Sequence, residues 1–149
     1  MSDARACSGE SKVAVGEKIE PFGVPLTLQR MVMEAGANRD FSPLHHDREY
    51  AVATGGPDAY ANTIFIQAIL EAALRMWMGD RGWLQELEIR MEEFNVVGAF
   101  VAAHGRVTDV RDQLDGRRVS LDVWVESDRV RTVVGTAVVQ LPHLKPDAL

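Results

Sequence analysis

The sequence has little cysteine, no long apolar run and no excess of positive charge. Cys7 is the single cysteine among 149 residues, which excludes an intramolecular disulfide and favours a reducing compartment. No apolar run approaches the ~20 residues that a membrane-spanning helix needs, and residues 1–12 lack the basic and then apolar order of a secretory signal. A net charge of −6 and a pI near 5.2 do not suit the neutralisation of nucleic-acid phosphates. We therefore expect a cytoplasmic protein with no nucleic-acid or membrane partner.

The composition predicts one globular domain with short tails. A chain of 149 residues with 46% hydrophobic side chains is large enough to bury a core of its own. We expect a flexible polar tail over residues 1–12, one domain over residues 13–142 and a C-terminal tail over residues 143–149.

Helical patterns fill the first half of the chain. Residues 13–28 contain two glycines and two prolines, which predicts an extended segment with at most one short edge strand. Short helices are predicted over residues 29–37 and 47–53, and a long helix over residues 62–78, with Asn62 as its cap. Apolar side chains of the long helix recur at spacings of three and four, and they predict a buried stripe of Ala61, Ile64, Phe65, Ala68, Ile69, Ala72, Ala73 and Met76.

The second half of the chain follows the two-residue period of strands. Apolar and polar residues alternate from Leu84 onward, and Asp115-Gly116 is typical of a hairpin turn. The last strand, residues 130–141, is apolar on both faces, which favours a covered position, and Gly135 within it allows a close approach of another backbone. The predicted fold class is α+β, a single hotdog in which a curved antiparallel sheet wraps around one long central helix. An exposed sheet edge would favour a dimer.

One stretch carries an acid and a base at a fixed spacing. Asp40 precedes His45 by five positions, with Pro43 between them. Pro43 fixes its own φ and favours extended geometry at Ser42, so the two groups flank a stiff turn. A carboxylate and an imidazole that share a water are suited to moving protons to and from carbon. The alternative is structural, because Asp and Ser before such a turn commonly cap the following helix, here at Asp47.

The same stretch resembles a known family signature. Asp40, Ser42, Pro43 and His45 are similar to the Asp-x-Asn-Pro-x-His signature of the MaoC-like (R)-specific enoyl-CoA hydratases, and the order of elements matches over about residues 21–141. The resemblance implies a hotdog fold, a trans-2-enoyl thioester of coenzyme A or acyl carrier protein as substrate, and Asp40 and His45 as the catalytic pair that holds the water. No metal or redox cofactor is then required, since coenzyme A is part of the substrate.

Several positions depart from the family pattern or extend it, among them Arg39, where the family usually has Gly before the Asp. Ser42 replaces the family's Asn and can still hydrogen-bond the turn, while Tyr60-Ala61 replaces a His-Gly pair before the long helix. The resemblance implies that the backbone N–H of Ala61 donates a hydrogen bond to the thioester oxygen. His46 and Asn62 would complete the set of substrate-binding residues, which is Ser42, His46, Ala61 and Asn62.

A narrower resemblance points to a particular kind of partner. The strings 39–41 and 45–48, together with Asn62, are similar to the small MaoC-like subunits of actinobacterial steroid side-chain degradation. This resemblance implies a bulky enoyl-CoA and assembly with a second MaoC-like chain, and it leaves a homodimer or a heteromer open. His45, His46 and Asp47 do not predict a metal site, because adjacent side chains diverge and no third spaced ligand follows.

Two other functions compete with hydration. A hotdog thioesterase would normally use a carboxylate on the long helix, where Glu71 is the candidate on the polar side. A non-catalytic hotdog subunit would only complete the tunnel of a partner, and it would have no need of both Asp40 and His45.

Overall fold

The computed structural model describes residues 13–143. The predicted N-terminal tail, with Cys7, and the predicted C-terminal tail after His143 lie outside this range. The described chain contains five strands, three α-helices and one short 3₁₀ turn. In chain order they are β1 (Phe22–Pro25), α1 (Leu28–Asn38), the 3₁₀ turn (Pro43–His45), α2 (Arg48–Ala53), α3 (Thr63–Met78), β2 (Trp83–Met91), β3 (Phe100–Gln113), β4 (Gly116–Ser127) and β5 (Val130–Leu141).

The five strands form one antiparallel sheet in the order β1-β3-β4-β5-β2. Two tight hairpins build its centre. Gln113 pairs with Gly116 around one two-residue turn, and Ser127 pairs with Val130 around Asp128 and Arg129. Asp128 and Arg129 have φ of 48° and 73°, as a type I′ turn requires at both central positions. β2 and the short β1 are therefore the two edges of the sheet.

The sheet curls around α3 and buries a continuous core against it. Inward-facing strand residues such as Val107, Val119, Leu121 and Val133 are fully buried. The fold class predicted from the sequence, a hotdog, is thus confirmed.

The face of α3 that meets the sheet differs from the predicted stripe. The buried residues of the helix are Ile66, Ile69, Leu70, Ala73 and Leu74. The prediction was right for Ile69 and Ala73 but wrong for Ile64, Ala68 and Met76, and Ile64 and Met76 are 49% and 60% exposed. The helix is apolar around most of its circumference, so more than one stripe fits its periodicity.

The last strand occupies the covered position predicted for it. β5 lies between β4 and β2. A Cβ atom on Gly135 would lie 2.0 Å from the carbonyl oxygen of Glu88 in β2, so this glycine does permit a close backbone approach.

Two loops meet at the N-terminus of α3 and hold it in place. The N–H of Ala61 donates to the carbonyl of Asn95 (2.9 Å), and the N–H of Val97 donates to the carbonyl of Ala59 (2.8 Å). The β2–β3 connection is therefore fixed beside the segment that leads into α3. None of the helices within residues 13–143 is both long and apolar enough to span a membrane.

Candidate active site

Local backbone geometry sets the spacing of Asp40 and His45. Arg39 ends α1 in the left-handed region with φ of 59°, and the N–H of Asp40 returns to the carbonyl of Ala35 (2.9 Å). Pro43 then opens the 3₁₀ turn, and His45 is its last residue. This turn brings the two side chains together, as the spacing in the sequence indicates.

Asp40 and His45 face each other directly. His45 Nε2 lies 3.2 Å from Asp40 Oδ2, and His45 is only 8% exposed. The other ring nitrogen, Nδ1, lies 2.8 Å from the carbonyl oxygen of Tyr60. A carbonyl can only accept, so Nδ1 carries a hydrogen and Nε2 of a neutral ring is left as an acceptor. Two acceptors side by side are suited to receive both hydrogens of one water.

Asn62 joins the pair to the start of α3. Its Oδ1 caps the helix by accepting from the N–H of Phe65 (2.8 Å), which settles the orientation of the amide. Its Nδ2 therefore donates to Asp40 Oδ2 (2.9 Å). This hydrogen bond is the main reason that the pKa of Asp40 lies below its usual value, against the effect of burial, with smaller support from the Ser42 N–H and, when Nε2 carries a hydrogen, from His45. Asp40 is thus held as a carboxylate.

A second carboxylate stands close behind the pair. Burial raises the pKa of Glu34 on α1, and the nearby charge of Asp40 raises it further, against smaller opposing effects of His45 and Asn62. Asn38 donates a hydrogen bond to Glu34 from the next turn of the helix. The sequence analysis missed Glu34, since nothing in its spacing connects it to Asp40.

Aromatic rings form one side of the site. The ring of Tyr60 meets the imidazole of His45 edge-on, at 5.5 Å between centroids and 89° between planes. Phe94, from the β2–β3 connection, packs on Tyr60 at 4.7 Å. Tyr60 takes the place of the family's histidine, so its ring rather than an imidazole covers His45 here.

A cavity of about 500 Å³ opens beside the Asp40–His45 pair. One wall comes from the dyad and the start of α3, and the other from the end of β2 and the connection after it. The lining residues are Asp40, His45, Tyr60, Ala61, Asn62, Thr63, Ile64, Met91, Glu92, Glu93, Phe94 and Asn95.

The predicted site residues divide into two groups. Asp40, His45, Ala61 and Asn62 line the cavity, whereas Ser42 and His46 do not. Ser42 holds the turn instead, because its N–H lies 3.4 Å from Asp40 Oδ1, and the His46 side chain is exposed. The N–H of Ala61 already donates to Asn95, so it has no hydrogen left for a ligand.

The alternative carboxylate lies elsewhere. Glu71 is paired with Arg75 (2.7 Å) and is not part of the cavity wall. Within residues 13–143, no three His, Cys, Asp or Glu side chains are grouped closely enough to hold a metal ion.

A curled antiparallel sheet around one helix defines a hotdog protein, and an Asp–His pair lies beside the N-terminus of that helix. Comparison with known proteins identifies the family of the chain. It is 30% identical over 101 residues to the 3-oxo-4,17-pregnadiene-20-carboxyl-CoA hydratase beta subunit of Mycobacterium tuberculosis, an alignment that covers 68% of this chain and 76% of the relative.

Solved structures agree on the fold. The ChsH1–ChsH2 complex of Mycobacterium tuberculosis matches 87% of this chain and 99% of its own chain, with a TM-score of 0.80 and 23% identity. The (R)-hydratase from A. caviae matches 89% of this chain and 100% of its own, with a TM-score of 0.80 and 21% identity. No protein-family model matches the chain. The chain belongs to the MaoC-like hydratase/dehydratase family of hotdog proteins.

Proposed function

We propose that the protein hydrates a trans-2-enoyl-CoA thioester to the (R)-3-hydroxyacyl-CoA, or catalyses the reverse dehydration. The observation that carries this proposal is the Asp40–His45 pair, with 3.2 Å between Nε2 and Oδ2, at the wall of a cavity of about 500 Å³. Both groups present acceptors at the same point, and the carboxylate is kept ionised by Asn62.

The pair would hold the attacking water between two acceptors. The oxygen of this water bonds to the β-carbon of the enoyl group as one of its protons passes to the dyad. A proton is delivered from the dyad to the α-carbon, so the elements of water are added and the charges balance. The edge of Tyr60 and the bond from Nδ1 to its carbonyl keep the imidazole oriented during this transfer.

Negative charge that develops on the thioester oxygen needs donors close to the dyad. The backbone N–H groups of Thr63 and Ile64 open α3 at the cavity wall, and no acceptor within residues 13–143 is bonded to either of them. The positive end of the helix dipole lies at the same place. These two groups take the role that the family resemblance implies for Ala61.

We infer that the substrate is bulky and that a second hotdog chain completes the site. The relative that shows the family is named as the beta subunit of a hydratase for a pregnadiene-carboxyl thioester, and one matching structure is a two-component complex. Among residues 13–143, β2 has a strand partner on one side only, and Trp83 on β2 is 69% exposed. Such an edge is suited to pairing with another sheet.

The test is hydration of a series of trans-2-enoyl-CoA thioesters, from crotonyl to a bulky steroid acyl group, followed by loss of the enone absorbance. We expect wild type to hydrate at least one of them and Asp40→Asn to lose activity by about 10²-fold or more while it remains folded. If the Asp40→Asn variant were as active as wild type, the dyad mechanism would be wrong.

A second candidate function is that of a subunit that is inactive alone. The name of the relative, a beta subunit, favours it. Co-expression with a second MaoC-like chain separates the two cases: activity that appears only in the complex, and is lost with Asp40→Asn in this chain, assigns the chemistry to this subunit. Activity of the complex that survives Asp40→Asn would assign it to the partner.

A further inference from the structure

A second cavity, which we call the outer cavity, lies on the face of the sheet that points away from α3. Asp122 and Trp124 alternate along β4 with the core residues Val123 and Val125, so their side chains project from this outer face. The cavity beside them has a volume of about 410 Å³. Its polar and aromatic lining residues are Lys18, Arg106, Asp122, Trp124 and Arg131. Three cations therefore line it with one carboxylate, in a chain whose net charge is −6.

One of the three cations is paired with that carboxylate. Arg106 Nη2 lies 3.8 Å from Asp122 Oδ2. Lys18 is held next to Arg106 by an isolated bridge between the two backbones. Within residues 13–143, neither Lys18 nor Arg131 forms an ion pair. The lining of the outer cavity thus has an excess of two positive charges, which favours an anionic ligand.

An aromatic ring, and not an anion, holds Arg131 in place. The guanidinium carbon of Arg131 lies 4.6 Å from the centre of the Trp124 ring, within the range of a cation–π interaction. The indole is fixed in turn, because its Nε1 donates to Glu126 (3.0 Å) and its ring stacks with His104 at 5.4 Å between centroids and 7° between planes. A guanidinium that is bound through its face can still donate from the N–H groups along its edge.

The cavity beside the dyad has the opposite charge. Its lining contains Asp40, Glu92 and Glu93, and no lysine or arginine from residues 13–143. Phosphate groups would be repelled there. The segment that supplies Arg131 also binds that wall, since the carbonyl of Thr132 accepts from the N–H groups of Glu92 (2.8 Å) and Glu93 (3.1 Å). A phosphate-bearing molecule would therefore meet cations on the outer face of the sheet and carboxylates at the dyad.

We propose that the outer cavity binds a ligand through a phosphate or diphosphate group, with Lys18 and Arg131 as its main contacts. Lysine supplies a compact charge and arginine a planar set of donors, and both are common ligands of phosphate oxygens. The site goes beyond the proposed hydratase function and does not depend on it. Two sources share this chemistry, namely the nucleotide end of a coenzyme A thioester and a separate phosphate compound.

The test is calorimetric titration of pyrophosphate into wild type, Lys18→Gln and Arg131→Gln. We expect saturable binding to wild type and about tenfold weaker binding to each variant, because each substitution removes a charge-assisted hydrogen bond. Both side chains are exposed, so the variants should remain folded.

Arg111→Gln is the matched control. Arg111 is an exposed arginine on β3 that pairs with Asp109 (2.6 Å) and does not line the outer cavity. Its replacement removes the same charge, and this variant should bind pyrophosphate as wild type does. No saturable binding to wild type, or equal affinities for wild type and all three variants, would overturn the proposed site.

Two thioesters distinguish the sources of the phosphate. Crotonyl-CoA and crotonyl-pantetheine, which lacks the nucleotide, are titrated into wild type and Arg131→Gln. Crotonyl-CoA binding that is about tenfold weaker in the variant, with crotonyl-pantetheine unaffected, would identify the nucleotide end of the thioester as the ligand. If only pyrophosphate distinguished the two proteins, the ligand would be a separate phosphate compound. Both results are binding measurements, so they hold even if wild type hydrates no thioester and the proposed function fails.

Discussion

Two asparagines on opposite walls of the cavity behave differently. Asn62 uses both ends of its amide, with Oδ1 on the helix N-terminus and Nδ2 on Asp40. Asn95 uses one end, on Thr132, and its Nδ2 has no partner within the described chain. In the wall formed by the dyad and the start of α3, which we call the complete wall, the Asn62 amide is fully paired, while the wall after β2 keeps one amide N–H without a partner within residues 13–143. The orientation of Asp40 is thus fixed before any substrate binds.

The largest effect is expected at His45. His45→Ala removes one of the two acceptors for the water, so kcat should fall by about 10²- to 10⁴-fold. The Tyr60 carbonyl also loses its hydrogen-bond donor, which costs stability, so folding must be followed by circular dichroism. His143→Ala is the control, because His143 is exposed and lies beside Leu114, outside the cavity. If the His45→Ala variant kept the kcat of wild type, His45 would have no role in holding the attacking water.

Asn62→Ala tests the role of the Asn62 amide through the pH dependence of the reaction. Without the amide, the pKa of Asp40 rises toward its ordinary value, because the largest cause that lowers it is gone. The acid limb of the plot of kcat/KM against pH should then move to higher pH, with a smaller loss at neutral pH. Loss of the helix cap should also cost about 1 kcal/mol of stability.

Thr27→Ala is the control for the cap alone. The hydroxyl of Thr27 caps α1 in the same way, by accepting from the N–H of Arg30, but it does not contact Asp40. It should lower the melting temperature by a similar amount and leave the pH profile in place. An acid limb that stayed fixed in Asn62→Ala would show that Asn62 acts only as a cap.

The complete wall, with Asp40, His45 and Asn62, is also the part of the site that the sequence predicts best. Asp40, Pro43 and His45 are close in the chain, and a stiff local turn is enough to bring them together. Asn62 is a cap, which its place before an apolar helix indicates. Helix and strand order, the covered position of β5 and the close approach at Gly135 follow in the same way from local patterns.

The rest depends on contacts between distant segments. Asn95 reaches its place through pairing of the β2–β3 connection with residues 59–61, and Thr132 comes from the last strand. No periodicity in the sequence connects these three segments. The buried face of α3 was mispredicted for a related reason, since Ile64 and Ile66 are equally apolar and only the packed sheet decides which is covered.

The smallest effect is expected at Glu34, and it concerns how the charge of this carboxyl, close behind the dyad, affects the stability of the fold. The pKa of Glu34 lies above its ordinary value of 4.5, first because of burial and then because of Asp40. A carboxyl with a raised pKa in the folded state favours folding in its protonated form, and this contribution is lost as the pH rises through that pKa. Glu34→Gln keeps an acceptor for Asn38 and cannot ionise. Its melting temperature should equal that of wild type well below pH 4.5 and exceed it slightly at neutral pH.

Glu88→Gln controls for the general loss of a negative charge, because Glu88 is exposed on β2 and does not line the cavity. With a net charge of −6, any such loss reduces self-repulsion a little, so only the excess effect of Glu34→Gln counts. A melting-temperature difference that does not change with pH, or one that matches Glu88→Gln, would mean that the pKa of Glu34 is not raised in the folded protein. A difference that grows through the titration range would show that Glu34 titrates with a raised pKa behind the dyad, in contrast to Asp40, whose pKa the hydrogen bond from Asn62 lowers.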